Sequence, residues 1–136
     1  MAYSDHISLK LDQDRQNQPS NPDFVLYLMD LSYFSGKLET YFRYQDFNFR
    51  RVEPLLSQLG EIKKETGTSQ VPLVYDKKRG EWLRDTTYII EHMEREYKNV
   101  SILPECPLQE FFSFLLEDFA DEYMETSHVL QMGTNF

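Results

Sequence analysis

Between Val71 and Arg95 the sequence reads VPLVYDKKRGEWLRDTTYIIEHMER, and few architectures accommodate that order. Leu73, Val74 and Tyr75 form a short apolar run opened by a proline, which lacks a ladder donor and belongs at a strand start, edge or bulge. The charged turn from Asp76 to Gly80 ends that run, and Glu81-Trp82-Leu83 reads as a second short strand. Asp85-Thr86 then stands where a helix begins, with Ile89, Ile90 and Met93 following at helical spacing. The segment is a β-β-α unit. Its proline, set beside a polar helix start, frames a pocket suited to a small, charged, peptide-like ligand.

Upstream the pattern supplies the rest of one domain. Residues 1 to 22, which include DQDRQNQPSNP, hold little that packs and read as a polar tail. Phe24 to Met29 is nearly continuous in apolar residues, as expected of a strand buried on both faces. After a connection carrying Ser32 and Ser35, helical spacing begins at Gly36, with Leu38, Tyr41, Phe42 and Gln45 along one face. Phe47 to Val52 largely alternates apolar with polar, the pattern of a strand with one wet side. Leu55, Leu56, Leu59 and Ile62 mark a second, shorter helix that runs out into Gly67-Thr68-Ser69. The order is therefore β-α-β-α-β-β-α. A helix between the first two strands implies a parallel crossover, and the five-residue turn implies an antiparallel hairpin.

Pro104 and Pro107 read as a linker. Beyond them Phe111, Phe112, Phe114, Leu115, Leu116 and Phe119 fall on a final helix whose other side carries Glu117, Asp118, Asp121 and Glu122. Only a short tail follows, so that helix has nothing left in the sequence to bundle with.

Charge and cysteine usage exclude several functions. A formal net charge of -9 opposes binding to a phosphate backbone or an anionic membrane surface. A single cysteine, Cys106, excludes an internal disulfide, a Cys-x-x-Cys redox pair and an all-cysteine metal site. The sequence shows no signal peptide and no apolar run of spanning length, so a soluble, reducing, cytoplasmic setting is expected. His92 and Glu96 sit four residues apart without a second histidine, and we expect a solvated face there rather than a metal site. Lys77-Lys78-Arg79 is expected to be an exposed turn, and Cys106 to have no catalytic role.

The element order, with Val71-Pro72 and Asp85-Thr86, resembles the N-terminal thioredoxin-like domain of glutathione transferases. Ser32-Tyr33-Phe34-Ser35-Gly36-Lys37 falls at the strand-to-helix turn where that family places its thiol-activating Ser or Cys. Thr66 to Pro72 is similar to its loop before a cis-proline, and Leu103-Pro104 with Leu116 to Glu122 is similar to its linker and first C-terminal helix. The resemblance covers about residues 23 to 124, and it rests on order and spacing rather than on any single motif. It implies an α/β, thioredoxin-like fold with a mixed four-stranded sheet and one extra C-terminal helix. The implied division is a tail over 1–22, a glutathione-binding domain over 23–103, and a linker with the first helix of an incomplete helical domain over 104–136.

For function, the resemblance implies that glutathione is bound as substrate and its thiol activated for attack on an electrophile, with no metal. Ser32 and Ser35 are the catalytic candidates. The family pattern favours Ser32, but Tyr33 stands where that pattern has proline, which keeps Ser35 open. Either serine could equally be an ordinary helix cap. Tyr33, Gln70, Val71, Pro72, Asp85 and Thr86 are the implied glutathione contacts, with Lys37 a weaker one. A cis peptide at Pro72 would turn the Val71 N–H and C=O toward the cysteinyl backbone of the ligand. Asp85 would meet the γ-glutamyl ammonium and Thr86 its carboxylate, although Asp and Thr before a helix also serve as plain caps. Since only the first helix of the family's helical domain is recognisable, weak binding and little conjugation are expected. The competing expectation is a non-catalytic module that assembles as a dimer, or with a helical partner, through Phe111, Phe112, Phe114, Leu115 and Phe119. Redox exchange of the glutaredoxin kind is disfavoured, because a serine forms no mixed disulfide.

Overall fold

The computed structural model describes residues 18–97 and 99–124; most of the expected polar tail lies outside them. The chain divides into two compact units, residues 1–99 and 100–136.

The first unit is built on four strands, β1 (Phe24–Tyr27), β2 (Phe49–Val52), β3 (Leu73–Asp76) and β4 (Glu81–Arg84), in the order β2-β1-β3-β4. β1 and β2 run parallel, joined through helix α1 (Tyr33–Tyr44). β3 is antiparallel to both β1 and β4. Helix α2 (Leu56–Thr66) connects β2 to β3, and α3 (Thr86–Glu96) follows β4. The mixed sheet and the element order are those expected from the sequence. Already at Asn21 the chain is tied to this unit: its carbonyl accepts from Asn48 Nδ2 and its side chain from Lys77 Nζ.

Alternation along the strands sends side chains to two faces. Phe24, Leu26, Val74 and Leu83 join Leu38, Phe42, Ile89 and Met93 in the main core under α1 and α3. Removing each such side chain from water contributes roughly 1.5–3 kcal/mol. Phe24 anchors the cluster, meeting Phe42 edge-on at 5.6 Å between ring centres and Tyr97 at 5.3 Å. On the other face Tyr27 and Tyr75 pack against Trp82, and the Arg84 guanidinium donates to the Thr66 carbonyl at the end of α2. Gly67 closes that helix at φ 78°, where a side chain would be strained. Burial raises the Tyr27 hydroxyl above its ordinary pKa. Tyr27 is thus a packing residue of the sheet.

α1 and α3 are joined through buried polar groups as well. Tyr41 Oη donates to Glu94 Oε1 at 2.8 Å, Gln45 Nε2 donates to the same oxygen at 2.9 Å, and the Asn99 N–H donates to Gln45 Oε1. The β3–β4 turn is organised by Asp76, fully buried, which accepts from the Lys78 and Arg79 N–H groups and from the Tyr97 hydroxyl. Lys77, Lys78 and Arg79 are exposed there, with Arg79 paired to Glu96. His92 departs from expectation. It is only 6 % exposed, lying near the rings of Tyr88 and Tyr97 with Glu81 Oε1 3.7 Å from its Nε2, whereas Glu96 is exposed as expected. The helical spacing of residue 92 places it toward β4 instead of toward solvent.

The second unit holds α4 (Pro107–Phe119), continued by a π-helical turn over Ala120–Met124. Pro107 occupies the first helical turn, where its missing N–H costs nothing. Cys106 caps the helix and is exposed. Its thiol is held below the ordinary pKa by N–H groups of Gln109 and Leu108 that donate to sulfur.

Candidate functional site

The sheet register brings the candidate segments to one end. Tyr27 pairs with Leu73, and Leu73 with Arg84, so the last residue of β1, the first of β3 and the last of β4 lie side by side. Neighbouring strands are about 5 Å apart. The β1–α1 connection with Ser32, the Gln70-Val71-Pro72 approach to β3, and Asp85-Thr86 after β4 all leave the sheet from that edge. Both α1 and α3 begin there.

Ser32 is the N-cap of α1, with extended backbone (φ -90°, ψ 121°). Its Oγ accepts from the Ser35 N–H at 3.3 Å and its carbonyl accepts from the Gly36 N–H at 3.1 Å. A hydroxyl that accepts a cap bond keeps its own proton to donate. Those two bonds satisfy two of the four first-turn donors; the N–H groups of Tyr33 and Phe34 remain for an acceptor outside the helix. Ser35 is placed differently. It is 2 % exposed, and its Oγ accepts from the Met29 N–H at 3.1 Å, which closes the connection onto the helix. Helix α1 therefore starts three residues earlier than Gly36, because the Ser32 cap sets its first turn.

Asp85 repeats the arrangement at α3. Its carboxylate accepts from the Tyr88 N–H at 3.2 Å and its carbonyl from the Ile89 N–H at 2.8 Å. The first-turn N–H groups of Thr86 and Thr87 are then left for an outside acceptor. Asp85 is exposed and Thr86 buried. Asp85 also sits at φ 70°, ψ 120°, a backbone conformation that side-chain-bearing residues rarely adopt and that costs on the order of 1–3 kcal/mol.

Between these helix starts lies the approach to β3. The Val71–Pro72 peptide is cis, as the resemblance implies. Val71 is half-buried, Pro72 buried and Gln70 exposed. The ladder register begins only at Leu73, so Val71 stands two residues outside the paired strand. Tyr33, half-buried, packs its ring edge-on to Phe34.

One contributor escaped the sequence reading. Arg51, a largely buried β2 side chain, pairs with Asp30 in the β1–α1 connection and lies 3.6 Å from Glu39 Oε2 on α1. It fastens the connection that carries Ser32. An arginine within an otherwise half-apolar strand was its only signal. Lys37 is half-buried on α1, and no group of three or more metal-ligating side chains occurs among the described residues. None of the helices among them is long and apolar enough to cross a membrane.

No protein-family model matches the chain, and no curated protein matches it in sequence. Solved structures do. A glutathione transferase family member from Pseudomonas fluorescens, solved with bound glutathione, aligns at a TM-score of 0.65 and 14% identity over 78% of this chain and 54% of its own. Omega 3C from Trametes versicolor aligns at 0.68 and 14% over 82% and 48%. A Tau class enzyme from mango, Mangifera indica, aligns at 0.66 and 15% over 77% and 48%. This is the glutathione transferase fold. The sheet and helices α1 to α3 match its N-terminal, thioredoxin-like part, and the chain spans about half the length of the glutathione transferases it resembles.

Proposed function

We propose that this chain binds glutathione at the sheet end where α1 and α3 begin, and stabilises its thiolate for transfer to an electrophile. The observation that carries the reading is the meeting of two helix N-termini around the unpaired main chain of Val71. Each terminus keeps first-turn N–H donors and a partial positive charge suited to an anion. Glutathione offers matching groups: a thiol, two carboxylates, one ammonium and two peptide units.

In this reading Ser32 donates its hydroxyl proton in a hydrogen bond to the thiolate. A free thiol titrates near ~8.5, and a hydrogen bond to a charged group contributes about 1.5–3 kcal/mol. At about 1.4 kcal/mol per pKa unit, that lowers the thiol by one to two units, enough for a substantial thiolate fraction at neutral pH. Ser35 is set aside as the donor because its hydroxyl is buried in the loop closure. Tyr33 contributes its main-chain N–H. Val71 pairs through its main chain with the cysteinyl unit in the manner of an added strand, with Pro72 shaping the approach and Gln70 at the rim. Asp85 takes the γ-glutamyl ammonium, while Thr86 takes the adjoining carboxylate at the start of α3. The bound glutathione of the Pseudomonas fluorescens neighbour, whose fold the chain shares, supports the choice of ligand.

The chain spans about half the length of the glutathione transferases it resembles in fold, and these 136 residues hold the sheet unit rather than the larger share of such a protein. Conjugation by these 136 residues alone is accordingly slow. A cytoplasmic setting fits a chain with one cysteine. Calorimetric titration with glutathione, run beside a chromogenic electrophile assay, tests both halves. The expected result is measurable heat of binding with turnover barely above background. No binding by the folded chain sinks the first half, and brisk turnover the second.

A second reading is a non-catalytic module that assembles through α4, favoured by the apolar side chains that helix exposes. Light scattering with the same titration separates the two: assembly without glutathione affinity leaves only the module.

A further inference from the structure

We propose that Arg51 is a positioning residue: it fixes the turn that ends on Ser32 against the sheet, and through that turn governs how well the Ser32 hydroxyl stabilises a thiolate. The chemical half rests on the thiolate reading above, whereas the placement of the turn is a property of the chain without any ligand.

Main-chain bonding to β2 runs as far as Leu28, whose N–H donates to the Val52 carbonyl at 3.0 Å. The chain then folds back at once. The Ser32 N–H donates to the Met29 carbonyl at 3.1 Å, so Asp30 and Leu31 form the corner of a tight turn that ends on Ser32. Packing does little to hold that corner, since Met29 is 38 % and Leu31 78 % exposed. Polar links hold it instead. Ser35 Oγ accepts from the Met29 N–H, which ties the turn to α1, and Arg51 pairs with Asp30, which ties it to β2.

Arg51 is suited to that task. Its side chain is 11 % exposed, so salt and water screen the pair less than they would at the surface. The planar guanidinium faces carboxylates of two further elements at once, Asp30 in the turn and Glu39 on α1. These contacts are unequal. Glu39 Oε2 lies 3.6 Å from the Arg51 Nε, which is buried and makes no hydrogen bond, while Glu39 Oε1 accepts from Arg43 at 2.7 Å. Asp30 is therefore the partner that Arg51 holds, and the turn is what it fixes. With a carboxylate on either side the cation's own field is largely offset, so its influence on Ser32 passes through the placement of the turn.

The test compares the full chain with Arg51→Met, Arg51→Lys and Asp30→Asn, using Arg43→Gln as control. Arg51→Met keeps the apolar stem, leaves Asp30 in reach of water and leaves Glu39 its Arg43 partner, so no carboxylate is stranded. Amide hydrogen exchange read by NMR gives the ligand-free arm. The N–H groups of Ser32 and Ser35 should exchange about tenfold faster in Arg51→Met and in Asp30→Asn, with the amides of β1 and α3 unchanged. Combining both substitutions should add nothing further, because each removes the same pair. Arg51→Lys should fall between parent and Arg51→Met, and Arg43→Gln should match the parent. With glutathione present, the pH profile of thiolate absorbance should move toward that of the free thiol in Arg51→Met, while affinity in mild acid, where the thiol stays protonated, holds within about twofold. Unchanged exchange at Ser32 and Ser35, acceleration spread over the whole unit, an equal effect of Arg43→Gln, or a thiolate profile that stays with the parent's overturns the proposal. A parent that leaves the glutathione thiol unmoved sinks the thiolate reading instead, and the exchange comparison still decides what fixes the turn.

Discussion

Asp85 offers the sharpest separation of structural from functional roles, because two substitutions there should move stability in opposite directions and ligand affinity in one. At φ 70° its Cβ is strained, and its carboxylate caps the Tyr88 N–H. Glycine at this position removes strain of about 1–3 kcal/mol. It forfeits a few tenths of a kcal/mol of capping and about 0.5–1 kcal/mol of chain entropy. Asp85→Gly should therefore leave the protein between unchanged and about 2 kcal/mol more stable. Asp85→Ala keeps the strain and loses the cap, for a loss of about 1 kcal/mol. For a unit of this size 1 kcal/mol moves Tm by roughly 4–8 °C, so the glycine variant should melt at least about 4 °C above the alanine one. On the ligand role proposed for Asp85, both variants should lose a charge-assisted bond to the ligand ammonium, about 1.5–3 kcal/mol, and bind glutathione roughly 10- to 100-fold more weakly. Thermal denaturation and titration calorimetry on the three proteins give the comparison. A glycine variant that melts below the alanine variant refutes the strain argument. One that binds glutathione like the parent refutes the ligand role.

Ser32→Ala should cost about 1 kcal/mol as a lost cap and suppress thiolate formation, read as loss of the thiolate absorbance of added glutathione. Ser35→Ala instead leaves the Met29 N–H without its acceptor, costing about 1–3 kcal/mol in denaturant titration, with affinity for glutathione in the folded fraction kept. The Tyr41 hydroxyl is raised far above its ordinary pKa of 10.0 by burial and by its bond to Glu94. The folded state thus favours the protonated phenol. That contribution is complete below pH 10 and fades as pH climbs beyond it, so Tyr41→Phe should be less stable at neutral pH and lose less stability in alkali. Cys106, exposed and with its thiol lowered by α4 N–H donors, should react with iodoacetamide at neutral pH faster than free cysteine, followed by mass spectrometry.

Periodicity carried most of the fold. The apolar run at Phe24, the alternation from Phe47 to Arg50, and the helical spacing of Leu38, Tyr41 and Phe42 each act within a few residues, so the sequence displays them. Their pairing followed from connection lengths, and the parallel β1–β2 and antiparallel β3–β4 pairs agree. What stayed hidden depends on distant residues. His92 is buried because its side of α3 turns toward Glu81 on β4, eleven residues earlier, with the Tyr88 and Tyr97 rings on either hand. The Tyr41–Glu94–Gln45 bonds join positions about fifty residues apart. Arg51 finds Asp30 and Glu39 only once β2 lies beside β1. At the site, the serines could be named from sequence but not ranked; the full burial of Ser35 and the half-burial of Ser32 required the folded connection. The positive φ of Asp85 left no trace in residue type, since aspartate before a helix is ordinary.

Backbone amide shifts during a glutathione titration, followed by heteronuclear NMR, reach the central claim most directly. The account predicts that Tyr33, Phe34, Val71, Thr86 and Thr87 move together along one saturating curve, while amides near the β3–β4 turn stay still. Shifts scattered over that turn or along α4, or none at millimolar ligand, would contradict it.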